Sequence, residues 1–163
     1  DPARVRSIRK ATDAFRRIAE ARAIFLSRGD NSGTHILEKH LWKQAGISPE
    51  GNWYLQSGQG MGQTLGIASE KQAYTLTDRG TYLAFKKRVA LEILVERDRP
   101  LLNIYSVMEV NPSRFSKVNA SGGKAFADFM VSAEVQAVIK TFGVEKFGEP
   151  LFFPDAGKRE EEL

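Results

Sequence analysis

The chain has 163 residues, of which 42% are hydrophobic and 27% charged; this suits one compact domain or one lobe of a two-lobed protein and excludes a disordered or low-complexity chain. It has no cysteine, which excludes disulfides, thiolate metal sites and cysteine nucleophiles. The net charge of +4 equals the surplus in the first 22 residues, where seven bases stand against three acids, so the basic character belongs to one segment and not to a nucleic-acid-binding surface spread over the fold.

In chain order, Val5, Ile8, Thr12, Phe15 and Ile18 recur at three- and four-residue spacing and predict an amphipathic helix with its bases outward. Ala23 to Leu26 reads as a strand, Arg28 to Gly33 as a polar turn, and Thr34 to Ala45 as a helix that Gly46 ends. The plan then repeats. Trp53 to Leu55 reads as a strand, Gly58 to Gly62 as a flexible turn, Gln63 to Gln72 as a helix and Ala73 to Thr77 as a strand. A helix over Thr81–Arg88 and strands over Leu91–Val95 and Asn103–Val110 follow. One long helix is expected from Gly123 to Phe142, then an irregular strap over Phe147–Asp155 and a frayed tail at 156–163. Strands alternating with helices predict an α/β fold with a central, mostly parallel sheet flanked by helices. No apolar run approaches the roughly 18 residues of a membrane-spanning helix. The chain begins at Asp1 without an initiating Met, and no export signal is present in it.

Two strand–turn–helix junctions, Ser27–Thr34 and Leu55–Thr64, place small residues where helices begin. The first turn of a helix carries unpaired N–H groups and partial positive charge, which attract anions. Gly33, Gly60 and Gly62 lack the β-carbon that would keep a ligand off the backbone. Ser32 and Thr34 offer hydroxyl donors, and Arg28 offers a charged planar fork. Asn31 or Ser32 acting only as an N-cap, and glycines acting only as turn formers, account for the same pattern; spacing alone leaves both readings open.

Other patterns fail on spacing. Gly58-x-Gly60-x-Gly62 has Gln63 where a dinucleotide fingerprint needs glycine, and no lysine follows to complete a P-loop. His35 and His40 fall on different helix faces with no third ligand, so no metal site is expected. With both histidines on one helix, no hydrolase triad is apparent, and the chain does not read as an enzyme or as a cofactor carrier.

The run Phe25-Leu26-Ser27-Arg28-Gly29-Asp30-Asn31-Ser32-Gly33-Thr34-His35, continuing to Glu38 and Leu41-Trp42, closely resembles the tungstate-binding family of ABC importers. So do Gly58-Gln59-Gly60-Met61-Gly62-Gln63-Thr64-Leu65, Tyr74 through Thr81, Asn103-Ile104-Tyr105, Val110-Asn111-Pro112 and Phe142 through Gly148. The resemblance implies a two-lobed periplasmic-binding-protein fold that holds a tetrahedral oxyanion, tungstate or molybdate, between its lobes and delivers it to a membrane permease. It implies a periplasmic or extracytoplasmic setting, membrane-tethered in some hosts. Carried onto this chain, the ligand-binding set is Arg28, Ser32, Gly33 and Thr34, backbone donors at Gly60, Met61 and Gly62, and Tyr105 near the hinge.

By the same resemblance, residues 3–100 are the second ligand-binding lobe, 103–110 a hinge crossover strand and 111–155 the C-terminal segment of the first lobe. Most of the first lobe, with its own oxyanion-binding turn, has no counterpart here. Weak binding by this chain alone, and self-association through apolar surface on the 123–142 helix, are therefore expected. The alternative class is a binding or catalytic domain for another anionic or phosphorylated metabolite on the same fold. It needs a general base near Arg28, where Asp30 is the only acid.

Overall fold

In a computed structural model, residues 1–159 and 162 are described, and they fall into two compact units, 1–103 and 104–163.

The first unit is built on two short parallel strands, β1 (Phe25–Ser27) and β2 (Tyr54–Gln56), paired Phe25 to Tyr54, Leu26 to Leu55 and Ser27 to Gln56. Around them lie α1 (Ala11–Glu20), α2 (Gly33–Gln44), α3 (Met61–Glu70) and α4 (Arg79–Phe85). Alternation along β1 sends neighbouring side chains to opposite faces. Phe25 joins Phe15 and Ile18 of α1 and Leu41 and Trp42 of α2 in one apolar cluster, while Leu26 joins Ala68 of α3 and Ala73 in a second. Trp42 is the hub of the first, with its ring centroid 4.4 Å from Phe15 and 5.1 Å from Phe25. These clusters give the α/β lobe architecture that the alternation predicts.

Several elements are shorter than expected, for local reasons. The first helix starts at Ala11 and not near Val5, because Arg4 adopts a left-handed conformation (φ 54°) and the Asp1 carboxylate takes the Val5 and Arg6 amides. Asp98 then supplies the acceptor for the Ala11 amide at 2.7 Å. The expected strand at Ala73–Thr77 reduces to one parallel bridge between Phe25 and Tyr74. Beyond it the Thr75 hydroxyl donates to the Leu26 carbonyl, so a side chain takes the place of the next ladder bond. Leu91–Val95 is not a strand: the Leu91 carbonyl accepts from the Tyr82 phenol, and the Ala90 amide donates to Ser69 Oγ.

The second unit contains α5 (Ala120–Val131), α6 (Ala133–Thr141) and a short α7 (Val144–Phe147). The single helix expected over Gly123–Phe142 is broken at Ser132, whose backbone is extended (ψ 151°) and whose hydroxyl accepts the Val135 amide as the N-cap of α6. The strand expected over 103–110 does not form among the described residues, where that segment has no regular secondary structure. The tail expected to fray includes residues 160, 161 and 163, which lie outside the described residues.

Candidate functional site

Parallel strands open their carboxyl ends on one edge, and both candidate turns leave from that edge. The ladder continues beyond the strands. The Ser57 amide donates to the Ser27 carbonyl at 2.9 Å and the Gly58 amide to the Arg28 carbonyl at 2.8 Å. Ser57 Oγ also donates to the Arg28 carbonyl and lies 2.8 Å from Thr64 Oγ1 on α3. Thr64 is fully buried, and its hydroxyl lies 3.0 Å from the Gly60 carbonyl oxygen. Ser57 and Thr64 thus tie the turn after β1 to the turn after β2.

In the first turn, Asn31 adopts a left-handed conformation (φ 58°) and donates its amide to Nδ1 of His35. Ser32 caps α2 by accepting the His35 amide at 3.4 Å. His35 is therefore occupied in shaping this turn. The Gly29 backbone is also left-handed, and a β-carbon there would meet Gln56 at 2.9 Å. Gly33 is different: a β-carbon on it would meet nothing within 4 Å. The half-buried Thr34 has no hydrogen-bond partner for its hydroxyl among the described residues.

Arg28 reaches Asp30 through Nη2 at 2.5 Å, with the arginine side chain only 16% exposed. The Asp30 carboxylate also accepts the Ser32 amide at 3.1 Å and the Ser32 hydroxyl at 2.6 Å. The Ser32 hydroxyl does most to hold the Asp30 carboxyl down, at about 2; the Ser32 amide and Arg28 add to it and outweigh the opposing effect of burial. Among the described residues, two polar atoms at this edge are buried and have no hydrogen-bond partner: Arg28 Nε and Ser27 Oγ. Ser27 is fully buried beside the Tyr54 phenol, yet no hydrogen bond of good geometry joins them.

Behind the turn, buried Glu38 accepts from Trp42 Nε1 at 3.2 Å and from the Tyr54 hydroxyl at 2.7 Å. Burial is the main cause that pushes the Tyr54 phenol up to about 12.

In the second turn, Gly60 is the N-cap of α3, and no side chain caps that helix start. The Met61 side chain is buried in the core, so its backbone amide is the group it offers outward. Gly62 has a packing reason to be glycine, because a β-carbon would sit 2.5 Å from the Phe85 ring of α4. Tyr105 belongs to the second unit, where it is 76% exposed with its ring edge-on to Phe152.

The structure thus groups Arg28, Ser32, Gly33 and Thr34 with the start of α3 on one edge of the first unit. Sequence reasoning passed over Ser27, Ser57, Thr64 and His35 as site residues. Ser27 and Ser57 were open to it: Ser27 closes β1 and Ser57 follows β2, small hydroxyls where parallel pairing brings strand ends together.

A parallel-stranded sheet flanked by helices, with helix starts at its strand ends, is the architecture of a single periplasmic-binding-protein-like lobe. The chain belongs to the PBP superfamily, the model of whose domain matches residues 2–134. It is 48% identical over 145 residues to the tungstate-binding protein TupA of Peptoclostridium acidaminophilum, covering 89% of this chain and 51% of that protein. It is 44% identical over 161 residues to a putative ABC transporter anion-binding protein of Haloferax volcanii, covering 96% of this chain and 46% of the relative. Among solved structures, the tungstate-binding protein TupA from Desulfovibrio alaskensis G20 superposes with a TM-score of 0.83 at 43% identity, over 96% of this chain and 64% of that one. The chain spans about half the length of the curated relatives it matches.

Proposed function

We propose that this chain supplies one oxyanion-binding lobe of the solute-binding component of a tungstate or molybdate ABC importer. The observation that carries the reading is the pair of joined turns at the strand ends, where Arg28 Nε and Ser27 Oγ are buried without partners. Leaving a buried donor unmade costs about 1–3 kcal/mol, a cost that a bound oxyanion in reach of the guanidinium recovers. Arg28 supplies full charge, Ser32 and Thr34 hydroxyls, Gly33 close approach, and Gly60, Met61 and Gly62 the uncapped amides of α3. The names of the relatives, two of them tungstate-binding and one anion-binding, favour the same ligand class.

In this reading residues 3–100 form the second lobe, 103–110 the hinge crossover that carries Tyr105, and 111–155 the C-terminal segment of the first lobe. The partner is a membrane permease, and the setting is extracytoplasmic. Among the described residues no helix is long and apolar enough to cross a membrane. The function is capture without chemistry. Asp30, the acid beside Arg28, is held as an anion in an ion pair and is a poor general base.

Thermal melting and titration calorimetry with tungstate, molybdate, sulfate and phosphate at matched ionic strength test the proposal. Tungstate or molybdate is expected to raise the melting temperature of this chain, and Arg28→Ala to remove most of that rise. A full rise in Arg28→Ala places the anion elsewhere.

A further inference from the structure

The donors assigned to the oxyanion are not idle without it. Asp30 occupies Arg28 Nη2, the Ser32 amide and the Ser32 hydroxyl at the same time, at 2.5, 3.1 and 2.6 Å. These bonds use both of its oxygens, and three donors nearly saturate the acceptor sites of one carboxylate. Asp30 is thus ill placed to accept a proton from a protonated ligand such as hydrogenphosphate. Its depressed pKa keeps it ionised across the physiological range. The guanidinium, by contrast, is half served, since Nε remains buried and unpaired.

We propose that the Asp30 carboxylate is an internal anion that holds the Arg28 and Ser32 donors and must be displaced by the incoming oxyanion. This rests on the oxyanion reading above. A tetrahedral dianion offers four oxygens and twice the charge, so it can take the same donors and still has oxygens left for others on this edge, such as the Thr34 hydroxyl. A monoanion of carboxylate type gains little over Asp30 itself. The Asp30 side chain keeps 23% of its surface exposed, so one edge of the carboxylate already meets water into which it can turn. The exchange keeps Arg28 and Ser32 paired in both states. It lowers apparent affinity by the fraction of molecules in which Asp30 is in place, and it sets a threshold that favours dianions over monoanions.

The experiment is calorimetric titration of the wild-type chain, Asp30→Asn and Arg28→Ala with sodium tungstate, with sodium formate as a monoanion control. Asparagine keeps the shape and an acceptor for the Ser32 amide but not the charge. If occupied and free forms stand at ten to one, Asp30→Asn binds tungstate roughly tenfold more tightly and formate measurably. An unchanged or weaker tungstate affinity in Asp30→Asn overturns the proposal, provided Arg28→Ala still abolishes binding; Asp30 is then a support for Arg28. If Arg28→Ala binds as well as wild type, the oxyanion reading itself fails at this site, and the displacement idea with it. Carboxyl carbon NMR on the unmutated chain gives a second readout. On saturation with tungstate the Asp30 resonance is expected to move to the position of a solvated aspartate, and a resonance that stays put also overturns displacement.

Discussion

Gly62 and Phe85 lie so close that any side chain at position 62 must contest the space of the ring: a β-carbon would stand 2.5 Å from it. The contact packs the start of α3 against α4. Gly62→Ala is therefore expected to destabilise the chain by about 1–3 kcal/mol through overpacking. Gly66→Ala, one turn further on where nothing lies within 4 Å, is expected to stabilise it by about 0.5–1 kcal/mol through helix propensity. Urea midpoints for the two variants give the comparison, and equal shifts would remove the packing role assigned to Gly62.

Gly33 supplies the converse case. Open space surrounds its missing β-carbon, so Gly33→Ala is expected to fold with unchanged or slightly raised stability. If that space is where the oxyanion rests, the same variant loses tungstate affinity by about tenfold or more, since roughly 1.4 kcal/mol corresponds to each factor of ten. Wild-type affinity in Gly33→Ala would move the ligand away from the start of α2.

Tyr54 predicts a limb in the alkaline range. Its phenol is raised to about 12 in the folded chain, against about 10 for an unfolded tyrosine. The neutral form is the one favoured by folding, so this contribution is complete below pH 10 and is lost as pH rises toward 12. The stability difference between wild type and Tyr54→Phe is expected to be flat from pH 7 to 9.5 and to shrink above pH 10. A difference that stays constant through pH 11.5 would show that Tyr54 ionises as easily as in the unfolded chain.

In the second unit, Phe126, Phe129, Val138 and Phe142 are each more than half exposed. Exposed apolar surface of this kind seeks cover. Self-association of this chain, rising with concentration in sedimentation velocity, is the expected outcome. The double variant Phe126→Ser with Phe129→Ser is expected to weaken it without lowering the urea midpoint, because neither ring is buried. Monomeric behaviour of the wild type at high concentration would count against it.

Most helices and both candidate turns could be read in the sequence because their signals are local. Ser32 followed by Gly33-Thr34 marks a helix start, and Gly46 an end. The expected strands at Ala73–Thr77 and Leu91–Val95 misled because apolar alternation does not say which groups will bond to the backbone. The Thr75, Tyr82 and Ser69 hydroxyls take positions that a ladder would have used. The break at Ser132 was in fact visible, as a serine N-cap two residues before Glu134, but the apolar stripe ran through it and masked it. At the site, the residue types pointed to anion chemistry. Asp30 as the acid that holds Arg28 was legible from their spacing; that the same carboxylate also takes the Ser32 amide and hydroxyl was not, because it depends on the geometry of the turn through Asn31.

The ties between Ser57, Thr64 and the Arg28 carbonyl have a kinetic side as well. Two turns hung from one strand pair and joined by hydroxyl bonds are expected to move together, which in the proposed site would set the spacing between their donors before a ligand arrives. An anion that bridges them gives up its freedom of orientation once, at first touch, and need not wait for the second turn to find it. Loosening that link, as in Ser57→Ala, should slow capture more than it hastens escape.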